Sequence, residues 1–224
     1  GLNFQGNPDT YTVDYDTAGQ SLNIVYSDST KGWLPVSDDA VADVPEQPNT
    51  QKAIFGYGST GSNVSISNLV SSSGVVATDT TGVGTARSSI AATRYGVDKA
   101  IFAYGNTGSN VSMSNLVNNS GVVATDVSGV GTARYDPAAA SYGTDKAIFG
   151  YGGTDGDVSM SNLVTNAGVI GTDVSGVGTA RTEPAAANYG GDKAIFGYGE
   201  TGGSTFVSMS NLVTNAGVIG TDVS

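Results

Sequence analysis

The chain has 224 residues with neither cysteine nor histidine, and its 9 Lys and Arg against 20 Asp and Glu give a net charge of −11. The missing side chains exclude disulfides, zinc–thiolate centres and Ser-His-Asp triads. The acidic balance argues against binding to nucleic acid or to an anionic membrane surface. No apolar run is long enough for a membrane-spanning helix, so we expect no membrane insertion.

Glycine accounts for 33 residues, while Val, Ile, Tyr and Phe recur in short runs at regular intervals. Such runs, separated by Gly, Ser, Asn and Thr, are typical of strands joined by turns. No run of ten residues follows a helical period. We therefore predict an all-β protein.

Residues 1–37 are predicted to form a small β module. Its three candidate strands are TYTVDYD at 10–16, SLNIVY at 21–26 and GWLPV at 32–36. YSDSTKGW at 26–33 predicts a hairpin turn, because its spacing differs from that of the Asp-box of sialidase propellers. A unit this small is rarely stable alone, so we expect it to pack on the repeats, on an upstream domain or on copies of itself. Its expected role is attachment of the chain, through homo-oligomerisation. DDAVADVPEQPNT at 38–50 predicts a semi-rigid acidic linker.

Residues 51–224 consist of repeats with a period of 47, divided as 51–97, 98–144, 145–191 and a partial copy, 192–224. Each repeat contains an octet such as DKAIFGYG, then VSMSNLV, then GVVATD or GVIGTD, then TAR followed by AAxxYG. The fourth repeat carries two extra residues between octet and VSMSNLV, which predicts a surface loop there. Pro137 and Pro184 fall where a strand begins.

Four short strands in 40–50 residues are typical of a β-propeller blade, so we predict blades; an open β-solenoid or stacked-sheet fibre is the alternative. The last repeat stops at GTDVS and the first has no preceding TAR–AAxYG segment. Since a closed ring needs that strand, we expect the chain to be a fragment of a longer array.

The order of segments resembles a Kelch-type blade, in which an apolar run ends in two glycines and an arginine opens the next segment. The resemblance implies a small N-terminal β module followed by Kelch-like β-propeller blades. Two departures stand out. Gly56-Tyr57-Gly58 and its copies replace the adjacent glycines, and leucine stands in the VSxSNLV strand where Kelch blades have Tyr and Trp.

The sequence pattern AIFGYG…VSMSNLV…GVVATDTTGVGTAR also resembles repeats in structural proteins of tailed bacteriophages, tail-fibre-like proteins of marine phages in particular. YTVDYDTAGQSLNIVYSDSTKGWLPVSDD at 11–39 resembles a β module of the same proteins. The resemblance implies a non-enzymatic structural virion protein, located on an extracellular appendage. Its implied partners are copies of itself, with a trimer favoured, other virion proteins and a host-surface glycan. A carbohydrate-binding or carbohydrate-active propeller and a microbial surface filament subunit are the alternatives.

The tyrosines between glycines are the candidate ligand-binding residues, because glycine flanks leave an aromatic ring uncovered and able to stack on a sugar. The alternative is a half-buried ring that fills the gap between adjacent blades. The four positions are Tyr57, Tyr104, Tyr151 and Tyr198.

A repeated arginine–carboxylate bridge between neighbouring repeats is predicted from a spacing of eight residues. The pairs are Asp79 with Arg87, Asp126 with Arg134, and Asp173 with Arg181. An arginine ring that captures an acidic sugar is the alternative. The asparagines of SNLV are expected to bond turn or neighbouring-strand backbone.

No catalytic, metal or cofactor site is predicted. Asp155 and Asp157 in GTDGDVS occur in one repeat only, lack the ligand pattern of an EF-hand loop and predict a turn. No pair of carboxylates has the placement that a glycosidase needs. We therefore expect no enzymatic activity and no cofactor.

Overall fold

The computed structural model describes residues 23–37 and 52–224 of the chain. The chain divides into two compact units, residues 1–50 and 51–224. The described residues contain no helix, so the prediction of an all-β protein is confirmed. It follows that no helix in these two ranges could cross a lipid bilayer.

The first unit contains an antiparallel hairpin of β1 (Asn23–Asp28) and β2 (Gly32–Ser37). The Asp28 carboxylate accepts hydrogen bonds from the backbone N–H groups of Thr30 and Lys31, at 2.8 and 2.7 Å, and so fixes the turn. The rings of Tyr26 and Trp33 pack edge to face across the pair. The predicted hairpin turn and the predicted strands are confirmed over residues 23–36, whereas residues 21 and 22 lie outside the described residues. The strand predicted at 10–16 and the linker at 38–50 lie outside the described residues.

The second unit is a succession of small antiparallel sheets, and three of them have three strands each. The first sheet pairs β3 (Ala53–Gly56) with β4 (Ser67–Val70). The second contains β5 (Ala91–Tyr95), β6 (Lys99–Ala103) and β7 (Ser114–Val117). The third contains β8 (Ala138–Tyr142), β9 (Lys146–Gly150) and β10 (Ser161–Val164). The fourth contains β11 (Ala185–Tyr189), β12 (Lys193–Gly197) and β15 (Ser210–Val213). The short strands β13 (Glu200–Thr201) and β14 (Thr205–Phe206) pair with each other.

Each complete sheet combines strands from two neighbouring sequence repeats. The AAxxY segment at the end of one repeat pairs with the octet strand at the start of the next, as Ala91 pairs with Ala103 and Tyr95 with Lys99. Pro137 and Pro184 stand directly before β8 and β11, as predicted for strand starts. The folding unit is therefore displaced from the 47-residue repeat by one strand.

The third segment of each repeat forms a broken edge strand rather than the regular strand that the sequence predicts. Val76 bridges Val70, and Thr80 bridges Ser67, so one extra residue stands between the two bridges. This is the geometry of a β-bulge, which interrupts the ladder. The Asn68 amide occupies the gap and donates to the carbonyl of Ala77 at 3.1 Å.

The core lies between the sheets, because the octet strands of the two inner sheets, β6 and β9, are buried on both of their faces. Ala100 and Phe102 of β6 face the first sheet, whereas Ile101 and Ala103 face the third. A strand between two sheets needs apolar residues at consecutive positions, which explains the continuous run KAIF. Backbone bonds from Gly96 N to Asp145 O and from Gly143 N to Asp192 O, both 2.7 Å, connect successive sheets.

Candidate functional site

Three of the four candidate tyrosines are buried between sheets. Tyr104 and Tyr151 have no exposed surface and Tyr57 is 9% exposed, so the prediction of an exposed aromatic ligand surface is wrong for them. Each has a left-handed backbone with φ between 61° and 63°, which turns the chain sharply after the octet strand and directs the ring toward the next sheet. Tyr198, in the last repeat, is 66% exposed.

Each buried tyrosine ring is held between an arginine and a phenylalanine. The guanidinium carbons of the arginines lie 4.3, 4.0 and 3.9 Å from the ring centres of Tyr57, Tyr104 and Tyr151, within cation–π range. On the next sheet, Phe102, Phe149 and Phe196 pack edge to face on the same rings, with centroids 5.2, 5.4 and 5.2 Å away. Burial raises the pKa of Tyr104 to about 12. These tyrosines are therefore core residues and have no surface for a sugar.

The buried arginines bond to the following sheet. Arg87 donates from Nε to the Tyr104 carbonyl at 2.9 Å and from Nη2 to Asn115 Oδ1 at 2.7 Å. Its Nη1 lies 3.9 Å from Asp126 Oδ1. Burial lowers the pKa of Arg87 and of Arg134. A fully buried guanidinium with these partners serves packing between sheets and does not form an exposed anion site.

The prediction that each arginine pairs with the aspartate eight residues before it is wrong, because the partner aspartate belongs to the following repeat. Arg87 pairs with Asp126 instead of Asp79, and Arg181 lies 4.0 Å from Asp222 instead of pairing with Asp173. The reason is that the TAR loop comes after the last strand of its own sheet and packs against the next sheet. Asp173 accordingly accepts hydrogen bonds from the backbone N–H and the hydroxyl of Thr132, which lies in the loop that carries Arg134.

The aspartates hold the TAR loop through hydrogen bonds. Asp126 Oδ2 accepts from the backbone N–H of Thr85 at 3.0 Å and from its hydroxyl at 2.6 Å, and Asp126 Oδ1 accepts from Asn115 Nδ2 at 2.9 Å. Burial alone would raise the pKa of Asp126, but these bonds and the Arg87 charge together lower it. The bonds from Asn211 and Thr179 lower the pKa of Asp222.

The SNLV asparagines bond backbone and carboxylate, so the expected backbone bonding is confirmed. Asn115 Nδ2 donates to Ala124 O at 3.0 Å, as Asn162 does to Gly171 O and Asn211 to Gly220 O. The sequence analysis missed the threonine of TAR, the octet phenylalanine and Asp222. All three recur at fixed positions in the repeats, and that recurrence is the signal that could have found them.

The glycine before each TAR is required by its backbone and its surroundings. Gly131 has φ +75°, and a Cβ atom there would collide with Asp173 Oδ1 and lie 2.6 Å from Asn162 Nδ2. Any side chain would therefore push the carboxylate away from Thr132.

The inter-sheet clusters consist mainly of arginine, tyrosine, phenylalanine and amide groups. Among the described residues, four of their buried polar atoms have no hydrogen-bond partner, namely Arg134 Nε, Arg134 Nη2, Asn162 Oδ1 and Arg181 Nε. In residues 23–37 and 52–224, no group of three His, Cys, Asp or Glu side chains is placed to hold a metal ion. Asp157 Oδ2 accepts from the backbone N–H of Gly202 at 2.8 Å, which makes it part of a contact between turns.

The accessible variable part of each repeat is a hairpin between the octet strand and the SNLV strand. We call the loops at 59–63, 106–110, 153–157 and 200–206 the hairpin row. Two pairs of neighbouring hairpins are joined by a hydrogen bond: Asn63 Nδ2 donates to Asn106 O at 3.0 Å, and Asp157 accepts from the fourth hairpin. The residue directly after each TAR arginine forms a β-bridge with the hairpin that comes next in the chain. These residues are Ser88, Tyr135 and Thr182. The row therefore presents hydroxyl, amide and carboxylate groups from successive sheets on one edge of the stack.

No protein-family model matches the chain, and no curated protein matches it. Among solved structures, the chain is similar to the one titled "Structure of YjhT", with a TM-score of 0.53 and 16% sequence identity. The similarity covers 67% of this chain and 49% of the YjhT chain, so it spans about half of that protein's length. At this identity the likeness is one of fold alone.

Proposed function

We propose that the chain is a non-enzymatic structural protein of a bacteriophage virion, part of a tail fibre or similar appendage, whose hairpin row binds a glycan on the host surface. The observation that carries this proposal is the division within each repeat. The residues between the sheets repeat almost without change, whereas the hairpins differ in sequence and length, as GNTGSN, GGTDGD and GETGGSTF. A constant scaffold with variable loops is typical of a recognition surface.

The chemistry of the hairpin row fits a sugar better than an apolar ligand. Thr60, Thr107, Asp155 and Ser204 are exposed there, and hydroxyl and carboxylate groups can donate to or accept from sugar hydroxyls. The exposed Phe206 adds an apolar face of the kind on which a sugar ring stacks. We further propose that residues 1–37 attach the chain to other virion proteins through a homo-oligomer.

We propose, at the level of fold, that the stacked sheets belong to a Kelch-like β-propeller. Support comes from the contacts between neighbouring sheets, which are made mainly by the first strand of each sheet. β8 lies next to β5 of the preceding sheet and next to β11 of the following one, so the sheets converge at their first strands. Convergence at the first strand is expected when sheets are arranged radially around an axis.

Binding to immobilised bacterial surface polysaccharides tests the glycan part of the proposal. The combined variant Thr107→Ala and Asp155→Ala removes two hairpin-row side chains and is expected to weaken binding. Asp98→Ala is the matched control, because the β5–β6 turn lies at the opposite edge of the sheet from the hairpins. Absence of binding to every polysaccharide would contradict the glycan role, and release of reducing sugar would contradict the non-enzymatic one.

Immunoelectron microscopy tests the virion part separately. Antibodies against the purified chain are expected to label phage particles at the tail appendages. Labelling of cell-surface filaments in uninfected bacteria would favour a filament subunit and overturn the virion assignment.

A further inference from the structure

The outward face of the last sheet has the composition of an inter-sheet face, but no residue of 23–37 or 52–224 packs on it. Ile195, Gly197, Tyr198 and Leu212 correspond to Ile148, Gly150, Tyr151 and Leu163 of the third sheet. Tyr151 is fully buried and Tyr198 is 66% exposed, and Leu212 is 45% exposed. Within the described part of the chain, the fourth sheet therefore has an exposed copy of the face that the first three sheets bury.

A slot for one aromatic side chain is present on this face. In the third sheet, the missing side chain of Gly150 leaves room for Phe196, whose ring would lie 2.9 Å from a Cβ atom there. In the last sheet, a Cβ atom on Gly197 would meet only Ser210, at 3.9 Å. A cleft of about 350 Å³ opens at that position, lined by Ile195, Gly197 and Tyr198 together with residues of β11.

The opposite end of the stack presents the side chain that such a slot holds. Phe55 of β3 is 63% exposed, whereas its counterparts Phe102, Phe149 and Phe196 are at most 2% exposed. Alternation along β3 directs Ile54 toward the second sheet and Phe55 away from it. An exposed phenylalanine at one end and an empty phenylalanine slot at the other make the two ends complementary.

We propose that the chain associates head to tail with a second copy of itself, with Phe55 of one copy inserted beside Gly197 and edge-on to Tyr198 of the other. Three interfaces inside the chain show the geometry of this contact, and the occupant in all three is the octet phenylalanine. The contact is heterologous, since different faces of the two copies meet, so it generates a closed ring or a filament. The inference does not depend on the proposed glycan binding.

Sedimentation velocity over a range of concentrations tests the association. The chain is expected to form species larger than its 22.4 kDa. Phe55→Ser, which removes the inserted ring, and Gly197→Val, which fills the slot, are each expected to weaken association by about tenfold or more. Phe206→Ser is the matched control, since Phe206 is 81% exposed and lies on neither face, and it should leave association unchanged.

Mixing the two interface variants gives a sharper result than either alone. Phe55→Ser keeps its slot and Gly197→Val keeps its Phe55, so an equimolar mixture is expected to pair the two variants one to one, and the pair cannot grow further through this contact. Circular dichroism of each variant checks that it is folded. A chain that stays monomeric at every concentration would overturn the proposal, and so would association that both substitutions leave intact. Polysaccharide binding by the Phe55→Ser variant is measured separately, so that failure of the glycan proposal is distinguished from failure of this one.

Discussion

The guanidinium carbon of Arg87 lies 4.3 Å above the centre of the Tyr57 ring, and Arg87 bonds at the same time to Asn115 of the next sheet. One side chain thus contacts two sheets whose strands are far apart in the sequence. The same arrangement recurs with Arg181, which stacks on Tyr151 and donates to Asn211 Oδ1 at 2.7 Å. Stability of the stack therefore depends on side chains that cross between sheets.

The octet phenylalanine is expected to be the main apolar contributor to each inter-sheet contact. Phe149 is fully buried beside Tyr104, so Phe149→Ala should lower the free energy of unfolding by about 3–5 kcal/mol through lost burial and the cavity left behind. Phe206→Ala, at an exposed site, should change it by no more than about 0.5 kcal/mol. Urea denaturation followed by circular dichroism measures both, and equal effects of the two substitutions would contradict the assigned core.

The three arginines are expected to differ in what their removal costs. Arg87 has hydrogen-bond partners on Nε and Nη2, whereas Arg134 Nε and Nη2 have none among the described residues. A buried charge with few partners gains little to offset its desolvation. We therefore expect Arg134→Met to destabilise the protein less than Arg87→Met does. Comparison of the two melting temperatures checks this, and the reverse order would show that the arginine–tyrosine stack outweighs the hydrogen bonds.

Acid is expected to weaken the inter-sheet contacts in a defined direction. The pKa values of Asp126, Asp173 and Asp222 are lowered in the fold from the ordinary 3.8, so their ionised forms stabilise the native state above that pH. This contribution is lost as the pH falls from 3.8 through the lower pKa values of the folded protein. Asp126→Asn should therefore flatten the acid side of a plot of unfolding free energy against pH.

The control for the acid prediction is Asp79→Asn, at the same position of the first repeat. Asp79 is bonded only by Asn68 among the described residues, with no threonine or arginine from a preceding loop. We expect Asp79→Asn to lower the free energy of unfolding at neutral pH by less than Asp126→Asn does. Equal losses in the two variants would mean that the TAR loop does not stabilise the carboxylates.

Alanine is expected to be tolerated at Gly150, despite a close approach of Phe196. The second repeat already has Ala103 at this position, with Phe149 opposite. The ring centroids of Tyr104 and Phe149 are 5.4 Å apart there, compared with 5.2 Å for Tyr151 and Phe196 beside Gly150. The phenylalanine ring therefore moves by a small distance to admit a methyl group. Gly150→Ala should lower the melting temperature slightly, and Gly150→Val, which also fills the space of the ring, should lower it much more.

The sequence predicted the strands well because their pattern is local. Residues 53–56 and 67–70 alternate or run apolar between glycines, and both the strand positions and the turns follow from that. The broken edge strand was not predictable in this way, since a bulge between Val76 and Thr80 depends on how Asn68 fills the gap.

The environment of the tyrosines and the partners of the arginines could not be read from spacing alone. Glycines beside Tyr104 suggest an uncovered ring when only the neighbours in sequence are considered, but Phe149 covers it from the next sheet. A constant separation of eight residues between Asp79 and Arg87 is equally present when each residue pairs with a neighbouring repeat. In a periodic chain, spacing gives the position of a residue within its repeat and leaves open which copy supplies its partner.

The displacement of the sheets from the sequence repeats by one strand bears on how the array can change in length. Removal of a 47-residue segment within residues 51–191 joins an AAxxY strand to an octet strand of another repeat, and the new pair is similar in sequence to the old one and has the same register. Recombination between copies of the repeat therefore needs no fixed breakpoint at a domain boundary. Genes for such chains can gain or lose sheets by unequal crossing-over, and each new junction still folds. The length of the array and the number of hairpins then vary, while the residues between the sheets stay the same.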